Sequence, residues 1–476
     1  MHIPEQGRSK AEIMKQLESY KAGDLPYHSG RIMAYVYDPG EEVLDTAREA
    51  YMNYLCESGL DFTTFPSVMR IEKEVVRMII NLLRGDAEVV GNMTSGGTES
   101  ILLAMKTARD WARVNRPEIK SPEMILSYTA HPAFHKACTY FGIKPVLVGF
   151  DRETFQADVA AMRAAITDNT LILVGSAPGY AQGVIDPITD IAVLAQEKGL
   201  WCHVDACVGG LHLSMMRKMG YPVPDFDFTI PGVTSISTDM HKYGYAPKNA
   251  SVIMYRNRQF RKFQFFACLQ TTSYALINPT ITSSKTAGPM AGAWATLNKL
   301  GEDGYRKIVA ATQDETSKLV GGIRAIDGLR VLGKPDMCLF SFTSETINLF
   351  QLAEAMSRRD WYLQPQFSTP FSPYNLHITV NQSSVGFADA LLADLRTAVE
   401  EIKNSADQLD VEVVRKQVSE LISQDPEHAR DNILALGGVS GEGLPESMVM
   451  INTVLECLPY SIAEELLTEY LNGLYQ

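Results

Sequence analysis

Three short stretches in the middle of the chain hold residue types that could do chemistry together. The first is Thr94-Ser95-Gly96-Gly97-Thr98-Glu99-Ser100, followed at once by Ile101, Met105, Ala108 and Ala112 at helical spacing. Two glycines let a backbone approach a ligand closely. Hydroxyls and unpaired N–H groups at a helix N-terminus then make an anion site. Taken alone, an ordinary glycine turn with a Ser/Thr cap reads the same way. The second stretch is His203-Val204-Asp205-Ala206, closing an apolar run. Strand alternation puts His203 and Asp205 on one face and Cys202 and Val204 on the other. A carboxylate at the carboxyl end of a strand sits where open α/β sheets bind ligands; a structural Asp capping the next loop is the plainer reading. The third is Ser237-Thr238-Asp239-Met240-His241-Lys242-Tyr243-Gly244. A lysine between aromatic and glycine residues after a strand can be partly desolvated, which makes its amine a nucleophile. Cys202, His203, Asp205 and Cys207 do not read as a metal centre. Alternation turns Cys202 from His203, and no second ligand pair follows.

Together the three stretches match the needs of pyridoxal phosphate. That cofactor needs a helix N-terminus and hydroxyls for its phosphate, and a carboxylate that keeps the pyridine nitrogen protonated. It also needs a flat side chain against its ring and a lysine for the Schiff base. His131, in Ala130-His131-Pro132-Ala133-Phe134-His135-Lys136, follows an expected strand and supplies the flat side chain.

The elements that must position these residues are legible in outline. Strands are expected at 124–128, 145–150, 170–176, 200–206, around 228–238, and at 251–255. Helices are expected between them at 100–114, 158–166 and 188–199. Strands alternating with helices imply a mostly parallel sheet covered on both faces. Upstream, 8–21 reads as an amphipathic helix and 42–84 as helices broken at Thr63-Thr64-Phe65-Pro66. Beyond about 301, two strands and two helices read as a smaller α+β domain. The expected organisation is therefore an N-terminal segment at 1–60, a cofactor domain at 61–300 and a small domain at 301–476. Gly437–Gly443 is a weak match to a phosphate loop and reads better as a connection.

The chain has 476 residues, 46% of them hydrophobic, and a formal charge of −13. The hydrophobic share implies a globular protein, and the acidic balance argues against a nucleic-acid partner. Seven scattered cysteines suit a reducing compartment better than a disulfide framework. No run is long and apolar enough for a signal peptide or a membrane span, so a cytoplasmic protein is expected.

The motifs T-S-G-G-T-E-S, H-x-A-F-x-K, H-V-D-A and S-x-D-x-H-K-Y-G, in this order, resemble the group II pyridoxal phosphate decarboxylase superfamily over roughly residues 30–400. The resemblance implies the aspartate-aminotransferase-type fold (fold type I). It further implies Lys242 as the Schiff-base lysine, Asp205 at the ring nitrogen, and His131 over the ring. Gly96, Gly97, Thr98, Thr238 and His241 are implied at the cofactor, with Tyr180 close by. A homodimer with shared sites is implied, the partner lending Ser284 to the cofactor phosphate. Thr238–Lys248, Phe65-Pro66 before Arg70-Ile71-Glu72, and Gly301-x-x-Gly304-Tyr305 are similar to the branch that cleaves phosphorylated sphingoid bases. That branch implies Tyr37 and Lys248 at the substrate phosphate, and a long-chain aldehyde and phosphoethanolamine as products. Lys242, Tyr180 and His241 are its candidate proton carriers. The eukaryotic lyases carry an N-terminal membrane anchor, which is not expected here. An amino-acid α-decarboxylase shares every cofactor residue and is the alternative; a scaffold without activity fits the intact Lys242–Asp205–His131 set poorly. The chain departs from the family pattern in three places. Ser284-Lys285-Thr286-Ala287 replaces Ser-Arg-Pro-Gly, Asp61 replaces a histidine, and Asn249 replaces a glycine.

Overall fold

The computed structural model describes residues 2–272, 274–406, 408–424, 432–433, 436–437 and 447–475. Its centre is a seven-stranded sheet. In chain order the strands are β1 (Val90–Thr94), β2 (Glu123–Ser127), β3 (Lys144–Val148), β4 (Thr170–Ser176), β5 (Trp201–Asp205), β6 (Ser235–Asp239) and β7 (Ser251–Tyr255). Their spatial order is β1-β7-β6-β5-β4-β2-β3, and β7 alone runs against the rest. Every residue of β2, β4, β5, β6 and β7 is buried, as a sheet covered on both faces requires. The helices Gly97–Asn115 and Ala133–Phe141 cover one face, packing Ile101, Met105 and Phe134 against Trp201 and Tyr255. Ile188–Lys198 and Gly210–Lys218 cover the other, with Ile191 and Leu211 against Val204 and Ile236.

The strand expected around 228–238 is shorter than the pattern suggested. Residues 228–234 turn instead, with Ile230 N–H on the Asp227 carbonyl and Val233 N–H on that of Ile230. Pro231 has no N–H for a ladder, and the Asp227 carboxylate takes the Thr229 N–H at 3.1 Å.

A hairpin of β8 (Phe266–Cys268) and β9 (Leu276–Asn278) leads to the helix Gly288–Arg324, which bends at Gly301, where φ is 56°. Beyond it lies a four-stranded antiparallel sheet ordered β10-β11-β13-β12. Its strands are β10 (Arg330–Val331), β11 (Leu339–Thr343), β12 (Gln364–Gln366) and β13 (Asn375–Thr379). The terminal helices Val411–Gln424, Val449–Cys457 and Tyr460–Leu474 share a small core around Val414, Val418, Val454 and Leu466. The Gly437–Gly443 segment lies outside the described residues apart from Gly437. Among the described residues no helix is long and apolar enough to cross a membrane.

Candidate active site

A cavity of about 190 Å³ opens at the carboxyl ends of β4, β5 and β6. Gly97, Thr98, His131, Tyr180, Asp205, His241 and Lys242 line it, so the three stretches and His131 do converge. Ile101, Ser176, Pro178, Cys207, Val208 and Asp239 complete the wall. Each side chain arrives through ordinary local structure. β1 ends at Thr94, and Gly96, at φ 148°, turns the chain into the helix that starts at Gly97. A Cβ on Gly97 would fall 2.7 Å from an Asp239 carboxylate oxygen, so only glycine lets this helix end come so near β6. Hydroxyl bonds fasten the helix: Thr94 Oγ1 to Ser100 Oγ at 2.7 Å, and Ser100 Oγ to Ser251 Oγ at 2.8 Å.

Asp205 closes β5. Its Oδ1 accepts the Cys207 N–H at 3.0 Å, and no protein donor is assigned to Oδ2 among the described residues. Below it His203 is locked between Ser235 and Ser237, and burial pushes its pKa down to about 4. Across the cavity the ring of His131 is held by the Ala133 N–H, which donates to Nδ1 at 3.2 Å. Burial lowers the His131 pKa, so the ring is a neutral flat wall.

Lys242 Nζ lies 3.0 Å from Asp239 Oδ2. Burial alone would lower the lysine pKa, but the Asp239 charge reverses the sign and holds Lys242 above its ordinary value. Asp239, almost wholly buried, is held below the carboxylate range: burial raises it, and Lys242 and His241 outweigh that. His241 donates from Nδ1 to the Ala250 carbonyl at 2.8 Å, which fixes its tautomer, and burial lowers its pKa. Asp239 is the one charged wall residue with no role assigned in the sequence reading. Its signal was present, three residues before Lys242 and next in alternation to Ser237.

Other expected residues lie elsewhere. Gly96 sits just behind the cavity wall, with the position of an added Cβ 3.5 Å from the His241 ring. Thr238 is turned away from the cavity. Alternation on β6 puts it opposite Ser237 and Asp239, and its Oγ1 is buried against the Gly210 backbone. Ser284 is exposed and lines a small adjoining recess with Thr94, Ser95, Glu99 and Asn249. Glu99 ties that recess to the helix end by accepting the Ser95 and Ile281 N–H groups at 2.6 and 2.7 Å. Tyr37 and Lys248 pair outside the cavity lining. Lys248 Nζ stands 5.3 Å from the Tyr37 ring centroid and donates to the Tyr35 carbonyl at 3.0 Å. Burial pushes the Tyr37 phenol up to about 12.

The three departures have local explanations. Asn249 adopts φ 67°, the left-handed conformation that glycine and asparagine share. Asp61 caps the turn before the helix Pro66–Leu82, taking the Thr63 N–H at 2.8 Å. Lys285 is buried in an ion pair with Glu72 at 2.5 Å.

An open, mostly parallel sheet carries at its carboxyl edge a glycine-opened helix end, a part-buried lysine and a carboxylate with an oxygen to spare. A neutral histidine forms the opposite wall. This donor set fits pyridoxal phosphate, and it defines the class as enzymes that bind that cofactor through a lysine. Comparison with known proteins agrees. The pyridoxal-dependent decarboxylase conserved domain matches residues 29–345, and a C-terminal helix-turn-helix domain of pyridoxal-dependent enzymes matches 400–473. The chain belongs to the pyridoxal-dependent decarboxylase family. Within it, the chain is 40% identical to the sphingosine-1-phosphate lyase of Oryza sativa over 409 residues, covering 84% of this chain and 74% of the relative. It is 37% identical to sphingosine-1-phosphate lyase 1 of Rattus norvegicus, covering 84% and 70%. The solved sphingosine-1-phosphate lyase of Burkholderia pseudomallei superposes with a TM-score of 0.81 at 36% identity, covering 90% of this chain and 98% of that one. A glutamate decarboxylase of Lactobacillus brevis shares the fold, with a TM-score of 0.75 at 20% identity.

Proposed function

We propose that this chain is a pyridoxal phosphate-dependent lyase that cleaves sphingosine 1-phosphate to a long-chain aldehyde and phosphoethanolamine. The observation that carries the reading is a second cation, Lys248, held over the Tyr37 ring outside the cofactor cavity. It is near enough for the Lys242 charge, after burial, to lower its pKa. A phosphorylated substrate needs such a donor, and an amino-acid decarboxylase does not.

In this reading Gly97, Thr98 and their helix end hold the cofactor phosphate, and His241 lies beside the cofactor. Asp205 pairs with the ring nitrogen, His131 covers one ring face and Lys242 carries the covalent link. The cofactor, when bound, supplies a sink for the electrons of the broken bond. The remaining work is proton movement. The substrate 3-hydroxyl loses a proton, the C2–C3 bond breaks, C3 leaves as the aldehyde, and C2 takes up a proton. Three groups on the cavity wall can move these protons: Lys242, kept charged by Asp239; His241, with Nδ1 committed to Ala250; and Tyr180, whose phenol burial holds strongly in its protonated form.

The exposed Ser284 outside its own chain's cavity supports a homodimer in which it serves the partner's cofactor phosphate. We read the chain as a segment at 1–60, a cofactor domain at 61–300 and a small domain at 301–476, the last border falling on the Gly301 bend. Seven unpaired cysteines support a cytoplasmic setting. The test is product analysis with sphingosine 1-phosphate and, separately, a panel of amino acids. Aldehyde and phosphoethanolamine are expected; carbon dioxide from an amino acid, with no aldehyde, would replace this reading by the decarboxylase.

A further inference from the structure

The Tyr180 hydroxyl donates to the side-chain carbonyl of Gln364 on β12, and the Gln364 amide nitrogen donates to the Tyr35 hydroxyl. One side chain of the small domain therefore joins a cavity-wall tyrosine to the N-terminal segment that holds Tyr37. We propose that Gln364 is a positioning residue for the cleavage reaction, fixing the direction of the Tyr180 O–H bond and so the lone pairs that Tyr180 turns to the substrate. This rests on the lyase reading and on Tyr180 accepting a hydrogen bond from the substrate 3-hydroxyl in it, which orients that hydroxyl while another wall group takes the proton.

The argument lies in what else holds Tyr180. Its loop is fastened without Gln364. The Ala181 carbonyl accepts from His377 Nδ1 at 2.7 Å and from Ser341 Oγ at 2.9 Å. The Ile185 N–H donates to Asp336 at 2.8 Å. The His377 ring lies 4.2 Å from the Tyr180 ring, which sets the ring plane. Backbone and ring are thus fixed, and the one torsion left free is that of the hydroxyl. A phenol O–H has one proton and two lone pairs. With the proton committed to Gln364, the lone pairs can face the cavity. Gln364 can do this because it pairs with His377 across the β12–β13 ladder, so both side chains leave the same face toward the loop. Its amide is itself oriented, because Oε1 and Nε2 each have a tyrosine partner.

The test is a double-mutant cycle of Tyr180→Phe and Gln364→Leu, read as kcat and KM for aldehyde release from sphingosine 1-phosphate. Losing one such hydrogen bond lowers kcat about 10-fold. Gln364→Leu is therefore expected to do so with KM little changed, and to add nothing in the Tyr180→Phe background. Gln364→Glu keeps an acceptor for Tyr180 and should recover most of the loss, which a folding defect would not allow. A second readout needs neither cofactor nor substrate. In 3-fluorotyrosine-labelled apoprotein, the Tyr180 fluorine resonance should shift in Gln364→Leu while that of Tyr243 stays. Multiplicative losses in the cycle, a rise in KM alone, or an unmoved Tyr180 resonance would each overturn the proposal. A parent enzyme that yields no aldehyde would sink the lyase reading instead, and the fluorine shift would still decide whether Gln364 holds the hydroxyl.

Discussion

Replacing Lys248 by Met tests the phosphate assignment directly, because methionine keeps an unbranched apolar stem over Tyr37 and removes only the charge. Of the three ammonium hydrogens, one is committed to the Tyr35 carbonyl, leaving two for a ligand. A charge-assisted hydrogen bond contributes about 1.5–3 kcal/mol. Lys248, though partly desolvated, keeps more than a third of its surface exposed, so screening favours the lower end of that range. The expected loss in kcat/KM for sphingosine 1-phosphate is about 10- to 100-fold, at about 1.4 kcal/mol per factor of ten. The same substitution should barely change the rate with the unphosphorylated base, so the preference for the phosphorylated substrate should fall by that factor. The salt sensitivity of kcat/KM should fall with it. Cofactor binding and its visible spectrum should be unchanged, because Lys248 lies outside the cavity lining. The assay is aldehyde release from the two substrates at several ionic strengths. A preference that stays at the parental value, or an equal loss with both substrates, would refute the assignment.

Lys242→Ala should abolish turnover, and borohydride treatment followed by peptide mass analysis should find the cofactor on Lys242 in the parent and on no lysine in the variant. Asp205→Asn should keep the cofactor but lower kcat about 10- to 100-fold, since a neutral amide gives up a charge-assisted bond of about 1.5–3 kcal/mol; parental turnover would remove its role. Mixing inactive Lys242→Ala chains with chains inactivated at Ser284 should restore part of the activity if Ser284 crosses the dimer, and mixed dimers without activity would place Ser284 elsewhere. Lys285→Met leaves the part-buried Glu72 carboxylate with only the Asn92 and Met93 N–H donors and should cost about 2 kcal/mol at neutral pH in urea unfolding. Glu72 is held below its ordinary value, because Lys285 and other donors outweigh its burial. Its stabilisation is therefore full above the ordinary carboxylate pKa and is lost as pH falls through the depressed one, so the gap between parent and variant should narrow in acid.

The parts of the site that were readable are those where one local rule fixes both position and direction. Gly96-Gly97 before a helical run, Asp205 at the end of an apolar strand and Lys242 after the next strand each follow from period and punctuation. The alternation that joins His203 to Asp205 also puts Thr238 opposite Asp239, yet the motif resemblance had placed it at the cofactor. β1 had no pattern to find: Val-Gly-Asn-Met-Thr neither alternates nor runs apolar. It forms because it pairs with β7, and an added Cβ at Gly91 would come within 2.6 Å of the Ile253 carbonyl. The bond from Tyr180 to Gln364 spans 184 positions in the chain. It depends on how the small sheet packs against the loop after β4, which no local pattern encodes.

The acidity of the chain and the anionic ligands proposed for it are compatible because the two act at different ranges. A formal charge of −13 spread over the surface is screened within roughly 8–10 Å at physiological salt. In the proposed reading a phosphate in the cavity would meet instead the N–H groups at the helix end of Gly97 and Thr98, which no change of pH removes. The two buried carboxylates do not spoil this site, because each is committed: Asp239 to Lys242, and Asp205 through one oxygen to the Cys207 N–H. Lys242 in turn stays charged when it is not linked to the cofactor, since Asp239 outweighs its desolvation. Asp239 thus has a purpose that neither the cofactor phosphate nor the substrate needs. In the proposed reaction it would give the freed lysine a charged resting place 3.0 Å away, from which the amine would hand a proton to the substrate carbon.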